Sequence, residues 1–133
     1  MKKDFRVKFA FTDETMKIDG HTLHRIISVR NFGNVEYNEL GGFIEKAENL
    51  SDAGISWVYG DACVYGNAQV RDNACIYGNA RIYGDAQIYD DAWVCDDAQV
   101  YGAARVCGDA QVRGHVRIYG NVLLCNDARV KSD

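Results

Sequence analysis

Proline is absent from this chain, and its 133 residues hold no apolar run near the eighteen or so that a membrane-spanning helix needs. The opening MKKDFRVKFAFTDET reaches acids before any apolar stretch long enough for a secretory signal, so the expected location is the cytosol. None of the five cysteines (Cys63, Cys75, Cys95, Cys107 and Cys125) stands in a CxxC pair, which argues against a zinc cage. An odd, unpaired set suits a reducing compartment. A net charge of −4 argues against a nucleic-acid polymer as the main ligand. The length suits one domain rather than separate cofactor and substrate domains. What the chain does have is regular glycine, 13 in all, so something other than ordinary loops punctuates it.

That punctuation has a period of six. From Val58 the chain reads VYGDAC, VYGNAQ, VRDNAC, IYGNAR, IYGDAQ, IYDDAW, VCDDAQ, VYGAAR, VCGDAQ, VRGHVR, IYGNVL, LCNDAR, VKSD, without insertion. Six is not a helical period, and the aliphatic residues do not recur at i+3 and i+4. Each hexad fits one short strand and a corner. The β-branched residue and the alanine two places before it turn inward, and the flanking residues turn outward. Gly-Asn or Gly-Asp makes the corner, because those residues best tolerate the left-handed backbone conformation. Three strands close a triangular coil of eighteen residues, and coils stack at about 4.8 Å. Val58 to Val130 then forms four full turns. Upstream, Ile44 and Leu50 keep the six-residue spacing before SDAGIS inserts two extra residues. MKIDGHTLHRIISV alternates around Asp19-Gly20, a dipeptide suited to a tight hairpin. The expected organisation is therefore a β-hairpin cap over residues 1–42, covering the open end of a β-helix formed by residues 43–133.

The phrase VYGNA and its variants resemble the hexapeptide-repeat, left-handed parallel β-helix, and are most similar to a group of phage, prophage and bacterial proteins. The segment LHRIISVRNFGNVEYNELGGFIEKAENLSDAGISWVYGDA looks like the lead segment of that group, so the resemblance covers roughly residues 7–133. It implies an all-β fold and side-by-side packing as a homotrimer. Function does not follow from the shaft, which also serves acyltransferases and γ-class carbonic anhydrases. The acyltransferases carry their catalytic histidine on a loop that interrupts the shaft, and none interrupts this one. The anhydrases need three histidines for zinc, and this shaft has only His115. No catalytic residue, cofactor or metal is carried over, and the expectation is a protein that is not an enzyme.

Because every eighteenth residue lies above its predecessor, outward residues form columns. The second face stacks Tyr65, Tyr83, Tyr101 and Tyr119 beside Cys63, Arg81, Gln99 and Arg117. The first face stacks Trp57, Cys75, Trp93, Gln111 and Arg129 beside Tyr59, Tyr77, Cys95, Arg113 and Lys131. The third carries Gln69, Gln87, Arg105 and Leu123 beside Arg71, Tyr89, Cys107 and Cys125. Stacked rings stabilise a ladder, but an aromatic stripe this long also reads as an exposed patch, and tyrosine and tryptophan anchor interfaces. Self-association through the first and second faces is the leading expectation, with a host protein as another possible partner. Arg81 and Arg117 beside the rings also suit a nucleotide between protomers, as in a phage protein that sequesters a host signalling nucleotide.

The corners carry the remaining candidates. Asp72-Asn73, Asp90-Asp91, Gly108-Asp109 and Asn126-Asp127 stack one above another, and carboxylates one rung apart could share Ca²⁺, although aspartate is also simply a tolerated corner residue. His115 sits one rung from Asp97, a pair that could act as a general base in a degenerate acyltransferase; more commonly histidine there replaces asparagine. His21 and His24 are expected to lie away from the shaft. Cys107 and Cys125 are stacked neighbours, and five free thiols are expected because strand-on-strand spacing fits a disulfide poorly.

Overall fold

The computed structural model describes residues 7–132. Residues 1–6, the start of the expected cap, lie outside the described residues, as does Asp133. The chain is an all-β parallel solenoid of about five turns. Its first face has five strands: Trp57–Val58, Cys75–Ile76, Trp93–Val94, Gln111–Arg113 and Arg129–Lys131. Its third face has four: Gln69–Val70, Gln87–Ile88, Arg105–Val106 and Leu123–Leu124. The register is the eighteen-residue one expected, for instance Val58 against Ile76 and Ile76 against Val94. The first coil is longer. Ile44 pairs with Val64 and Leu50 with Val70, each twenty residues apart, so the SDAGIS insertion is absorbed there.

The alternation follows from the hexad. Ala62, Val64, Ala68, Val70 and their successors up to Val112 point into the shaft and are buried. Each buried aliphatic side chain contributes about 1.5–3 kcal/mol relative to leaving it in water. Further along the stack the seal loosens: Ile118, Leu124 and Val130 are only half-buried, and Leu123 is 63% exposed.

The lead segment forms β1 (Phe9–Ile18) and β2 (His21–Ser28), an antiparallel hairpin turning at Asp19 and Gly20, both at positive φ. Leu40–Ile44 (β3) then pairs antiparallel with β2 and parallel with Cys63–Val64. The second face is thus a seven-stranded sheet that begins with β1, β2 and β3 and ends at Arg117–Ile118. The hairpin extends this sheet rather than merely closing the shaft. Ile26 and Phe9 enter the main core, while Leu23 packs with Phe43, Cys63 and Tyr65.

Two features fasten the segment. Gly41 and Gly42 allow a close approach: a Cβ on Gly41 would stand 2.7 Å from the Trp57 ring, and one on Gly42 would stand 2.5 Å from the Ala62 carbonyl oxygen. Arg25 lies with its guanidinium 4.3 Å from the Phe43 ring centre and donates to Glu14, to the Gly41 carbonyl at 2.7 Å and to the Gly60 carbonyl at 3.1 Å. Below the first face Lys8 is fully buried. Its ammonium donates to the Ser56 carbonyl at 2.7 Å, and burial pushes its pKa down to about 8. Asn49, also buried, accepts from the Glu45 and Lys46 amides and donates to the Gly66 and Ala68 carbonyls. A buried polar group with all four bonds made holds the first corner without the cost of an unpaired one. Among the described residues no helix is long and apolar enough to cross a membrane.

Candidate binding surface

The four tyrosines of the second face do stack. Ring centres lie 5.0, 4.8 and 5.3 Å apart from Tyr65 to Tyr119, and the planes are within 12° of parallel. These distances are close to the strand spacing, so the parallel sheet itself sets the stack. The stripe is not uniformly open to solvent, however. Tyr65 is only 2% exposed, because His21, Leu23 and the hairpin turn cover it; Tyr119 is 58% exposed. The Tyr65 hydroxyl bonds Asp19, and burial followed by that bond pushes its pKa well above the usual phenol value. His21, expected away from the shaft, instead packs on Tyr65 with ring centres 5.1 Å apart, and its Nδ1 lies 2.8 Å from the Glu45 carboxylate. The bond to His21 is the main cause that holds the Glu45 carboxyl below its usual range.

The stacking limits what the rings can do. Tyr83 and Tyr101 each have tyrosines on both sides, so neither offers a free face to a planar ligand; Tyr119 ends the ladder. Tyr83 also donates to Gln99 at 3.0 Å, tying the two columns together. Arg81 and Arg117 are both exposed, on either side of Gln99 in the ladder and therefore about 10 Å apart by strand spacing. Cys63, below Arg81, is buried beside Met16, and desolvation pushes its thiol up to about 11.

On the first face the expected outward column splits. Trp93 is 44% exposed and meets Tyr77 edge-on at 6.3 Å. Trp57, one position in the same column, is fully buried, with its ring against Phe32 at 5.3 Å. The expectation that Trp57 belongs to an exposed surface is therefore corrected: it points out of the coil but into the lead segment, over Gly41. Tyr59 and Tyr77 are half-buried. Burial is the main cause that raises both phenols, Tyr77 to about 12. A shallow groove of about 580 Å³ runs beside Trp93, lined by Ile55, Asp91, Asp109, Gln111, Asp127 and Arg129 among others.

At three corners the aspartate has a backbone partner. Asp72, Asp90 and Asp96 have φ of 60°, 56° and 60°, and each carboxylate accepts from the amide of the same corner one coil on, at 2.9–3.0 Å. A corner residue in the left-handed conformation aims its Cβ at that amide, so glycine leaves it bare while aspartate supplies an acceptor. Asn67 and Asn73 likewise donate to Asp85 and Asp91. His115 Nδ1 lies 3.4 Å from Asp97, with both side chains largely in solvent.

One cysteine expectation is overturned. Cys107 and Cys125 are joined as a disulfide, leaving Cys63, Cys75 and Cys95 free. Direct alignment on adjacent rungs sets their Cα atoms 4.6 Å apart, inside the range a disulfide spans. Asp90 completes a cluster that the hexads did not suggest, since it belongs to a different hexad from either cysteine.

Residues 74–87 and 86–102 match the family model of the YdcK beta solenoid repeat. No curated protein matches the chain. The match lies within the hexad shaft, and there the chain is similar to the YdcK β-solenoid repeat.

Proposed function

We propose that this protein is a non-catalytic binding scaffold, of the kind phages and prophages encode, that works in the cytosol as a homotrimer of β-solenoids. The observation that carries this reading is the half-exposed Trp93, edge-on to Tyr77, on the part of the first face beyond the lead segment that covers Trp57. An aromatic anchor on a flat sheet face suits close packing against a second copy. Tyr101 and Tyr119, beyond the cluster in which the hairpin, Tyr65 and Tyr83 pack together, extend that surface on the second face. A host protein could occupy the same surface. His115 and Asp97 line an open groove of about 470 Å³ with both side chains largely in solvent, a setting that suits a surface contact better than general-base catalysis.

A second reading draws on Tyr119, whose ring ends the ladder near exposed Arg117. There a base could stack and Arg81 and Arg117 could hold phosphates, so that the trimer sequesters a small nucleotide between protomers. Native mass spectrometry of gently purified protein, before and after mild denaturation, separates the two. Three bare chains support the scaffold. A trimer that releases a phosphate-rich small molecule supports the sponge, and it should lose that molecule but not its assembly in the Arg81→Ala/Arg117→Ala variant. A single chain at every concentration refutes both.

A further inference from the structure

On the third face the outward column changes chemistry with height. It runs Arg71, Tyr89, Cys107, Cys125; the Arg71 guanidinium lies 4.3 Å from the Tyr89 ring centre, and the upper two places hold sulfur. Asp90, at the corner following Tyr89, reaches upward. One carboxylate oxygen accepts from the Gly108 amide at 2.9 Å, which fixes the side chain beside the two sulfurs. A ligand atom from each of Asp90, Cys107 and Cys125 lies within 4.8 Å of the other two. Cys107 is buried, Cys125 half-buried and Asp90 exposed, so the cluster is walled on the protein side and open on the other.

We propose that, when the Cys107–Cys125 pair is reduced, these three residues form a binding site for a soft divalent cation of the zinc class. Two thiolates and one carboxylate are a donor set that such a cation takes, and three protein ligands leave a fourth position for water on the exposed side. The amide bond from Gly108 orients the carboxylate in the way that outer hydrogen bonds orient metal ligands. Binding displaces the two thiol protons, so affinity rises with pH. The ligands come from three successive rungs, so the cation ties together the part of the stack where Leu124 and Val130 are least covered. The disulfide is the competing state: a dithiol reductant opens it by exchange, supplying two electrons and two protons and becoming a disulfide itself. The reverse exchange removes both thiolates and with them the site. This inference is independent of self-association.

The test is a titration of the full-length, reduced, metal-free protein with Co²⁺ as the probe, without oxygen. The expected result is one equivalent bound with a sulfur-to-cobalt charge-transfer band, displaced by Zn²⁺ and absent from the oxidised protein. Cys107→Ser and Cys125→Ser should each abolish the band. Asp90→Asn should keep it but weaken binding at least about 10-fold, the scale seen for disturbed metal ligation. Cys75→Ser should change nothing. Circular dichroism of each variant checks that the solenoid is intact, and an intact Cys107→Ser protein that retains the band overturns the proposal. So does a reduced protein that shows no band although five thiols are counted in it after denaturation, or a pair that stays disulfide-bonded under conditions that fully reduce an exposed disulfide.

Discussion

Trp57 and Trp93 occupy the same column of the same face, two coils apart, yet one is sealed in the core and the other stands half in solvent. Tyr65 and Tyr119 repeat the contrast on the second face. The hexad is nearly the same at both levels, so local sequence does not make the difference. What lies over the coil does. The first coils carry the hairpin, the Gly41-Gly42 approach and the Arg25 fastening; the later ones carry nothing among the described residues. A repeat therefore sets where a side chain points, while non-repeating chain decides whether that direction is interior or surface. Coverage buries the aromatic columns of the first coils, and the proposed recognition surface lies on the coils it leaves open.

The sharpest way to break this contrast is to truncate both tryptophans. Trp57→Ala should cost about 3–5 kcal/mol in urea unfolding, the scale for deleting a buried aromatic ring. Trp93→Ala should leave the unfolding free energy of the dissociated chain within about 0.5 kcal/mol. Equal losses would mean that the two coils are equally packed. Next in size is the aliphatic column of the second face. Ile82→Ala, fully buried, should cost about 2–5 kcal/mol, and Ile118→Ala, half-buried, clearly less. Smaller still is a corner. Asp96→Ala strips the Gly114 amide of its acceptor while keeping a Cβ at φ 60°, and should lower stability by about 1–2 kcal/mol. Asp96→Gly should recover part of that, because glycine removes the strain.

The remaining effect is pH-dependent and belongs to the covered region. Lys8 titrates at about 8 when folded against 10.5 when free, so between those values the unfolded chain holds the extra proton. Its contribution therefore rises as pH climbs through that window and is lost as pH falls back. Cys63 acts oppositely. Its thiol, about 11 folded against 9 free, keeps its proton longer in the folded state, so its contribution falls as pH rises above 9. Replacing Lys8 with Met should therefore make stability decline more steeply between pH 8 and 10.5 than in the parent chain, as read from urea midpoints.

Much of the shaft was legible because six-residue spacing admits one backbone solution, and even the two-residue insertion before Val58 reappears as the longer first coil. The hairpin turn at Asp19-Gly20 was legible for the same reason, since short-range turn chemistry determines it. Coverage was not. That Leu23 and His21 land on Tyr65, and that Phe32 meets Trp57, depends on contacts between residues far apart in sequence, which no local pattern encodes. The Gly41-Gly42 pair was the available signal, since two adjacent glycines outside a corner mark a place where something large comes close. Tolerance of the corner conformation accounts for the aspartates only in part, because it leaves out the amide that Asp72, Asp90 and Asp96 each accept from. The Cys107–Cys125 bond is within reach of the column arithmetic, because strand spacing of about 4.8 Å already lies inside the Cα range a disulfide spans.

The division between a covered, stabilising region and the proposed binding region beyond it is tested most directly by sedimentation equilibrium of the parent chain and Trp93→Lys, each with its unfolding curve. Three chains for the parent, one for the variant and no loss of single-chain stability in the variant is the predicted result. A parent chain that sediments as a monomer throughout, or a Trp93→Lys protein that still sediments as three chains, would contradict it.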